Sequence, residues 1–232
     1  MDDLLAQCRE RLGLDRDGRP FAGSLVLIEP RDLEEARLLV AARFRIEWLE
    51  GERSMLIPTP DGPWAVMPTP SVAAPPVGSN DAGDAGRVEV ARAIEEARLA
   101  ARATILWSYG GRGLPAWLVE GFAEAAAGFL VDLEEVEAGL RPRAVESIRR
   151  GRHPIWITER PPEAPAWGPG GDARGVALVL VTRLLEAPKP VFSGLVADLK
   201  SGRSLDESFR RRLGMTFREW LDDSVDWFRF ND

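Results

Sequence analysis

Two carboxylates one helical turn apart, Glu120 and Glu124, are the first residues of this chain whose types and spacing suit chemistry. At that spacing both side chains leave the same face of a helix, where they can hold a hard cation, share acid and base roles, or pair with arginines. Glu96 lies upstream in a stretch of helical spacing, between Glu95 and Arg98. His153, the only histidine, sits in Gly151-Arg152-His153-Pro154, a loop composition in which an imidazole can act as general base or metal ligand. A hydrolase built on Glu96, Glu120, Glu124 and His153 needs these groups, spread over three segments, to meet within hydrogen-bond reach. A plainer reading gives the glutamates arginine-paired or solvated faces, leaves His153 without chemistry, and packs Trp156 and Trp167 under a proline-rich loop. Cys8 is the only cysteine, so neither an internal disulfide nor a cysteine-rich metal site can form.

The elements that must position these groups divide the chain into two parts. Residues 1–86 carry the strand signals. Leu4, Leu5, Cys8 and Leu12 have the spacing of a short amphipathic helix, and Ser24–Ile28 is a compact apolar run that suits a strand. Helical spacing over Asp32–Ala42 is followed by Phe44, Ile46 and Trp48 alternating with Arg45 and Glu47, which predicts a strand. Gly51 and Asp61-Gly62 are expected to turn this strand into two more, Ser54–Ile57 and Trp64–Met67, giving a small, mixed, mostly antiparallel sheet. Pro68–Gly86, rich in Pro, Ala, Gly and Ser, reads as a flexible loop at the boundary. Residues 87–232 then read as helical: Val90, Ile94, Ala97, Ala101 and Ile105 share one face, Leu118, Phe122, Ala125 and Phe129 another. Arg143–Arg150 is a further expected helix, Arg152–Gly171 a loop, and Asp172 the cap of the next helix. Ser204 with Glu207 and Thr216 with Glu219 fit capping boxes, and Gly202 and Gly214 stand where the preceding helices should stop. The expected fold is α+β, one integrated domain with a sheet-bearing part before a helical part.

The segment Leu114-Pro115-Ala116-Trp117-Leu118-Val119-Glu120-Gly121-Phe122-Ala123-Glu124 resembles the second motif of gluzincin metallopeptidases, which include the aminopeptidase N family and the peptidase MA-like domains. The tail, Gly202-Arg203-Ser204-Leu205-Asp206-Glu207-Ser208-Phe209 with Leu213-Gly214-Met215 and Trp220-Leu221, is similar to the closing helices of the peptidase MA-like domains. Together the likeness covers roughly residues 87–230. It implies a zincin-like fold in which Glu120 matches the third zinc ligand.

Such an enzyme also needs H-E-x-x-H on the preceding helix, two imidazoles one turn apart with a base between them. In the aminopeptidase arrangement residues 102–119 fill the interval before the ligand glutamate, which leaves Ala97-Arg98-Leu99-Ala100-Ala101 in the place of the motif. Ala97 and Ala101 then occupy the histidine positions and Arg98 that of the base. No other register succeeds, because His153 is the sole histidine. With no metal to bind, the Ala97 and Ala101 face is expected to pack on the Glu120 helix, while Arg98 or Arg102 pairs with Glu120 or Glu124 in place of the lost cation. The tyrosine that the resemblance expects near the start of the Asp172–Leu185 helix is absent too; Tyr109, the only tyrosine, lies after the degenerate motif.

The resemblance thus points to a pseudopeptidase: no catalytic residues, no metal, no cofactor, and a retained groove for a peptide or protein lined by Trp117, Tyr109 and Glu120, with Arg98 and Glu124 nearby. In this family substrate adds to a sheet edge, a mode that needs no metal. Two further readings stand beside it. One is the hydrolase built on Glu96, Glu120, Glu124 and His153; the other is a structural domain whose last helix offers aromatics such as Trp227 to an assembly. Hydrophobic residues make up 45% of the 232, enough for a core, and a net charge of −7 argues against nucleic acid as the main partner. Met1-Asp2-Asp3 lacks the basic-then-apolar pattern of a secretion signal, so a cytoplasmic location is expected. The most apolar run, Val176–Val181, is too short to span a bilayer, so no membrane partner is expected.

Overall fold

The structure, a computed structural model, describes residues 1–14, 24–48, 53–59, 61–69, 81–108, 113–131, 133–151, 153–158 and 172–230. Tyr109, Trp167, the expected turn at Gly51 and most of the expected Arg152–Gly171 loop lie outside these residues.

Helix α1, Asp2–Arg11, starts with Asp2 and Asp3 and ends with Arg9 and Arg11, charges placed to suit the helix dipole. It buries Leu5 and Cys8. Strand β1 is Val26–Ile28, and Asp32 then caps α2, Leu33–Phe44, by accepting a 2.8 Å hydrogen bond from the Glu35 amide. The strand expected over Phe44, Ile46 and Trp48 does not form. Phe44 closes α2, Arg45 takes a left-handed conformation with φ 57°, and residues 45–48 pair with no strand among the described residues. Phe44 and Trp48 reach one small cluster instead, while Ile46 between them stays exposed. Phe44 meets Trp64 edge-on at 5.4 Å, and Trp48 is buried with Ala36, Val40, Ile57 and Val66.

Strands β2, Met55–Ile57, and β3, Trp64–Val66, form as expected and are joined through a turn in which Gly62, at φ 119°, donates to the Thr59 carbonyl. The sheet order is β1-β3-β2. β2 is antiparallel to β3, Met55 opposite Val66, but β1 is parallel to it, Val26 opposite Trp64, so the described sheet is mixed rather than mostly antiparallel. The parallel pairing follows from the crossover: α2 and β2 intervene between β1 and its partner.

The rest is helical. α3 runs from Asp81 to Trp107, so 81–86, expected as loop, belongs to the helix. Gly83 and Gly86 lower its propensity by only about 1 kcal/mol each, which the continuing helix offsets. α4, Ala116–Leu130, begins after Pro115. α5, Leu133–Arg149, starts ten residues before the expected helix and takes Pro142 into its interior. The short α6, Ile155–Thr158, falls where loop was expected. α7 is Asp172–Glu186, beginning at Asp172 itself, and α8 is Lys189–Lys200. α9, Leu205–Leu213, has the expected Ser204–Glu207 capping box and ends at Gly214, φ 75°. α10, Phe217–Phe230, has the reciprocal Thr216–Glu219 bonds.

α4 is the axis of the core. Nearly all of its residues are buried, and it lies against α3 on one side and α7 on the other. Gly121 makes the second contact possible: a Cβ there would stand 2.3 Å from the Ala177 carbonyl oxygen on α7. Ala65 and Met67 pack with Leu99 of α3 and tie the sheet to the helices. No described helix is long and apolar enough to cross a membrane.

Candidate functional site

Glu95, Arg98 and Arg102 share one face of α3, spaced three and four residues apart. Glu120 and Glu124 face them from α4, Arg174 comes from the first turn of α7, and Ser54 from the residue before β2. All are buried or nearly so; Glu120 keeps the most exposure, 17% of its side chain. Arg98 gives both Nε (3.0 Å) and Nη2 (2.6 Å) to one oxygen of Glu124, Oε2, and Nη1 (3.1 Å) to Glu95. Arg102 forks onto Glu120, Nε to Oε1 at 3.1 Å and Nη2 to Oε2 at 2.6 Å, the bidentate arrangement that suits guanidinium and carboxylate. Arg174 stands 3.8 Å from each of Glu120 and Glu124. Ser54 donates its hydroxyl to Glu95. Three cations thus meet three anions in a closed network.

Such burial is costly for any member left alone and tolerable only when each has a partner. Burial by itself pushes the Glu95 carboxyl up, but Arg98, Arg102, the Ser54 hydroxyl and Arg174 outweigh it and hold Glu95 down at about 2. Burial likewise disfavours the charge on Arg98, yet Glu124 and Glu95 hold its ionisation above the ordinary arginine value. Glu95 and Arg98 are therefore held in their charged forms.

Both expected arginines pair with the expected glutamates, Arg98 with Glu124 and Arg102 with Glu120. Positions 98 and 102, not 97 and 101, lie opposite the α4 carboxylates. Ala97 packs with Ile94 and with Ala127 of α4, as expected of an apolar face, and Ala101 lies in the main core. Trp117, expected to line a groove, is wholly buried and stacked on Phe217 at 5.7 Å, because the apolar stripe of α4 faces the closing helices at that turn. Glu124 has no solvent exposure either.

The remaining groups to which the sequence points lie apart. Glu96 bonds Arg92 near the surface at 2.9 Å. His153 Nε2 meets Asp222 of α10 at 2.8 Å, while the Ile155 amide donates to Nδ1 at 3.2 Å, so both ring nitrogens are engaged and Nε2 carries the proton. The structure does not bring His153 together with Glu96, Glu120 or Glu124. Trp227 is half-buried beneath Arg183, 5.1 Å from its ring centre; the exposed aromatic of α10 is Phe230. Cys8 is buried, and burial raises its thiol to about 12, which removes it from thiolate chemistry.

Glu95, Arg174 and Ser54 complete the network beyond the residues that the sequence marks. Glu95 was legible in principle, since it repeats the Arg98 and Arg102 face of α3 among apolar neighbours. Ser54 and Arg174 carry no local signal, because only the tertiary fold brings them to the site. Among the described residues, no set of three or more His, Cys, Asp or Glu side chains is grouped to hold a metal ion. In comparison with known proteins, no family model, no curated sequence and no solved structure matches this chain.

Proposed function

We propose that this chain is a catalytically inactive, zincin-like domain that binds a peptide or protein partner. The guanidinium groups of Arg98 and Arg102 would stand where a gluzincin holds its metal. The observation that carries the reading is the closed network. Glu120, which aligns with a ligand glutamate, has both oxygens taken by Arg102, and Glu124 gives one oxygen to two donors of Arg98. A divalent cation brought to these carboxylates would have to displace or repel three buried guanidinium groups. The sole histidine, bonded to Asp222, is committed elsewhere. The donor set thus suits a structural core left in place of a catalytic centre, and leaves binding as the use of the surrounding surface.

The test is incubation of the purified protein with a random peptide library, followed by mass spectrometry of retained and released peptides. The reading expects a retained subset with every peptide bond intact, unchanged by a chelator. Cleavage products that disappear with chelator would overturn inactivity. A library recovered whole, with nothing retained, would overturn the binding role.

A further inference from the structure

A cavity of about 280 Å³ opens between α1, α4, α7 and α8. It exists because Ala125 and Gly128, three residues apart on α4, are too small to fill the space before Leu178 and Leu185, which share one face of α7. Phe129 of α4 and Phe192 of α8 complete the apolar walls. Glu124 borders the cavity, but its side chain has no exposure, so it offers the interior no carboxylate. The one other polar side chain among the walls is Thr182, a neutral hydroxyl. The interior is therefore a place for an apolar group.

The rim differs in kind. Arg11 and Glu186, both exposed, bring one charge of each sign to the same cavity. Neither forms an ion pair among the described residues. Arg11 lies over the Phe129 ring, 4.6 Å from its centre, which holds the guanidinium at the rim without neutralising it. A ligand that suits both parts has an apolar body and, side by side at one end, an anion and a cation. A purely anionic ligand would meet Glu186, and a purely cationic one Arg11. A residue inside a peptide carries neither charge, and a peptide terminus carries one. A free α-amino acid carries both on the same carbon.

We infer that this cavity binds a free apolar α-amino acid of the size of leucine, methionine or phenylalanine. Its carboxylate meets Arg11, its ammonium group meets Glu186, and its side chain lies among Phe129, Leu178 and Phe192. Burial of the side chain supplies affinity, and the two charged contacts select the zwitterion over an acid, an amine or a peptide. The site goes beyond the reading of the chain as a peptide- or protein-binding module and does not depend on it.

Calorimetric titration of the whole chain with leucine, methionine and phenylalanine, with their N-acetyl and amide derivatives, and with glycine tests it. The N-acetyl derivative lacks the cation, the amide lacks the anion, and glycine lacks the side chain. At least one of the three amino acids is expected to bind saturably in the millimolar range or tighter, with its two derivatives and glycine weaker by about tenfold or more. Arg11→Gln and Glu186→Gln, both at exposed positions, should each weaken that binding by a similar factor while the circular dichroism spectrum stays unchanged. Absence of saturable binding by all three amino acids overturns the inference. So does equal binding of the derivatives, which would leave an apolar hole with no selection for the zwitterion, and so does an affinity that neither substitution moves. The comparison of ligands uses the unchanged protein, so it stands whatever the variants do. Retention of library peptides decides the peptide-binding reading by itself, so the two fail separately.

Discussion

At the residue scale, the behaviour of the α3–α4 network rests on an asymmetry. Forming a buried ion pair returns little net stability, but removing one partner leaves a desolvated charge. Arg98→Leu strands Glu124, which has no solvent exposure, and Glu95, which has almost none. This substitution should cost about 3–5 kcal/mol in urea unfolding. The double substitution Arg98→Leu/Glu124→Leu should cost clearly less than the sum of the two single ones, since Glu124 is then no longer a buried charge deprived of Arg98. Acid should act on the same network. Glu95 is held at about 2 when folded against 4.5 when free. A depressed carboxyl contributes stability that is complete above about 4.5 and lost as pH falls toward about 2. Unfolding free energy measured between pH 6 and pH 2 should therefore fall more steeply for the unchanged protein than for Glu95→Gln. Equal slopes would show that Glu95 does not titrate as its surroundings dictate. The pairing of Arg98 and Arg102 with Glu120 and Glu124 could be read in the sequence from charge and spacing. Arg174 and Ser54 could not, since nothing near them in the chain marks them as partners.

At the element scale, the close crossing of α4 and α7 decides which residues face one another. Gly121→Ala would drive a methyl into the Ala177 carbonyl oxygen and Val181 Cγ2, 2.3 and 2.5 Å away, and backbone cannot yield as a side chain can. The expected cost is about 1–3 kcal/mol, read as a lowered denaturation midpoint. Ser204→Ala removes one half of the α9 capping box and should cost about 1 kcal/mol. Elements with explicit punctuation were legible: both capping boxes, Gly202, Gly214, the Asp61-Gly62 turn and the three strands of the sheet. Those that failed had weak or ambiguous signals. The aromatic alternation at Phe44–Trp48 mimicked a strand, and the glycines at 83 and 86 hid the start of α3. The facing of α3 and α4 was legible as well: Arg98 and Arg102 meet the α4 carboxylates, and Ala97 beside them packs on Ala127. Which arginine takes which glutamate was not, because counting residues along the chain fixes positions within a helix but not how two helices are rotated against each other.

At the scale of the whole molecule, one continuous core runs from Leu5 in α1 to Phe228 in α10, with the sheet joined to it through Leu99. The ion network lies within that framework where α3, α4 and α7 meet, with Ser54 reaching it from the start of β2. The α+β class and the order of sheet before helices followed from composition and periodicity. The mixed pairing of the sheet did not, because the direction of a three-residue strand leaves no trace in its own sequence.

The most direct measurement is the metal content of the protein. The chain, purified without chelator, is offered excess zinc, freed of unbound ion, and assayed for metal per chain. The account predicts no stoichiometric zinc, because the carboxylates of Glu120 and Glu124 are held by Arg102 and Arg98. One tightly held zinc per chain, lost on Glu120→Ala, would contradict it and require a different set of ligands around Glu120.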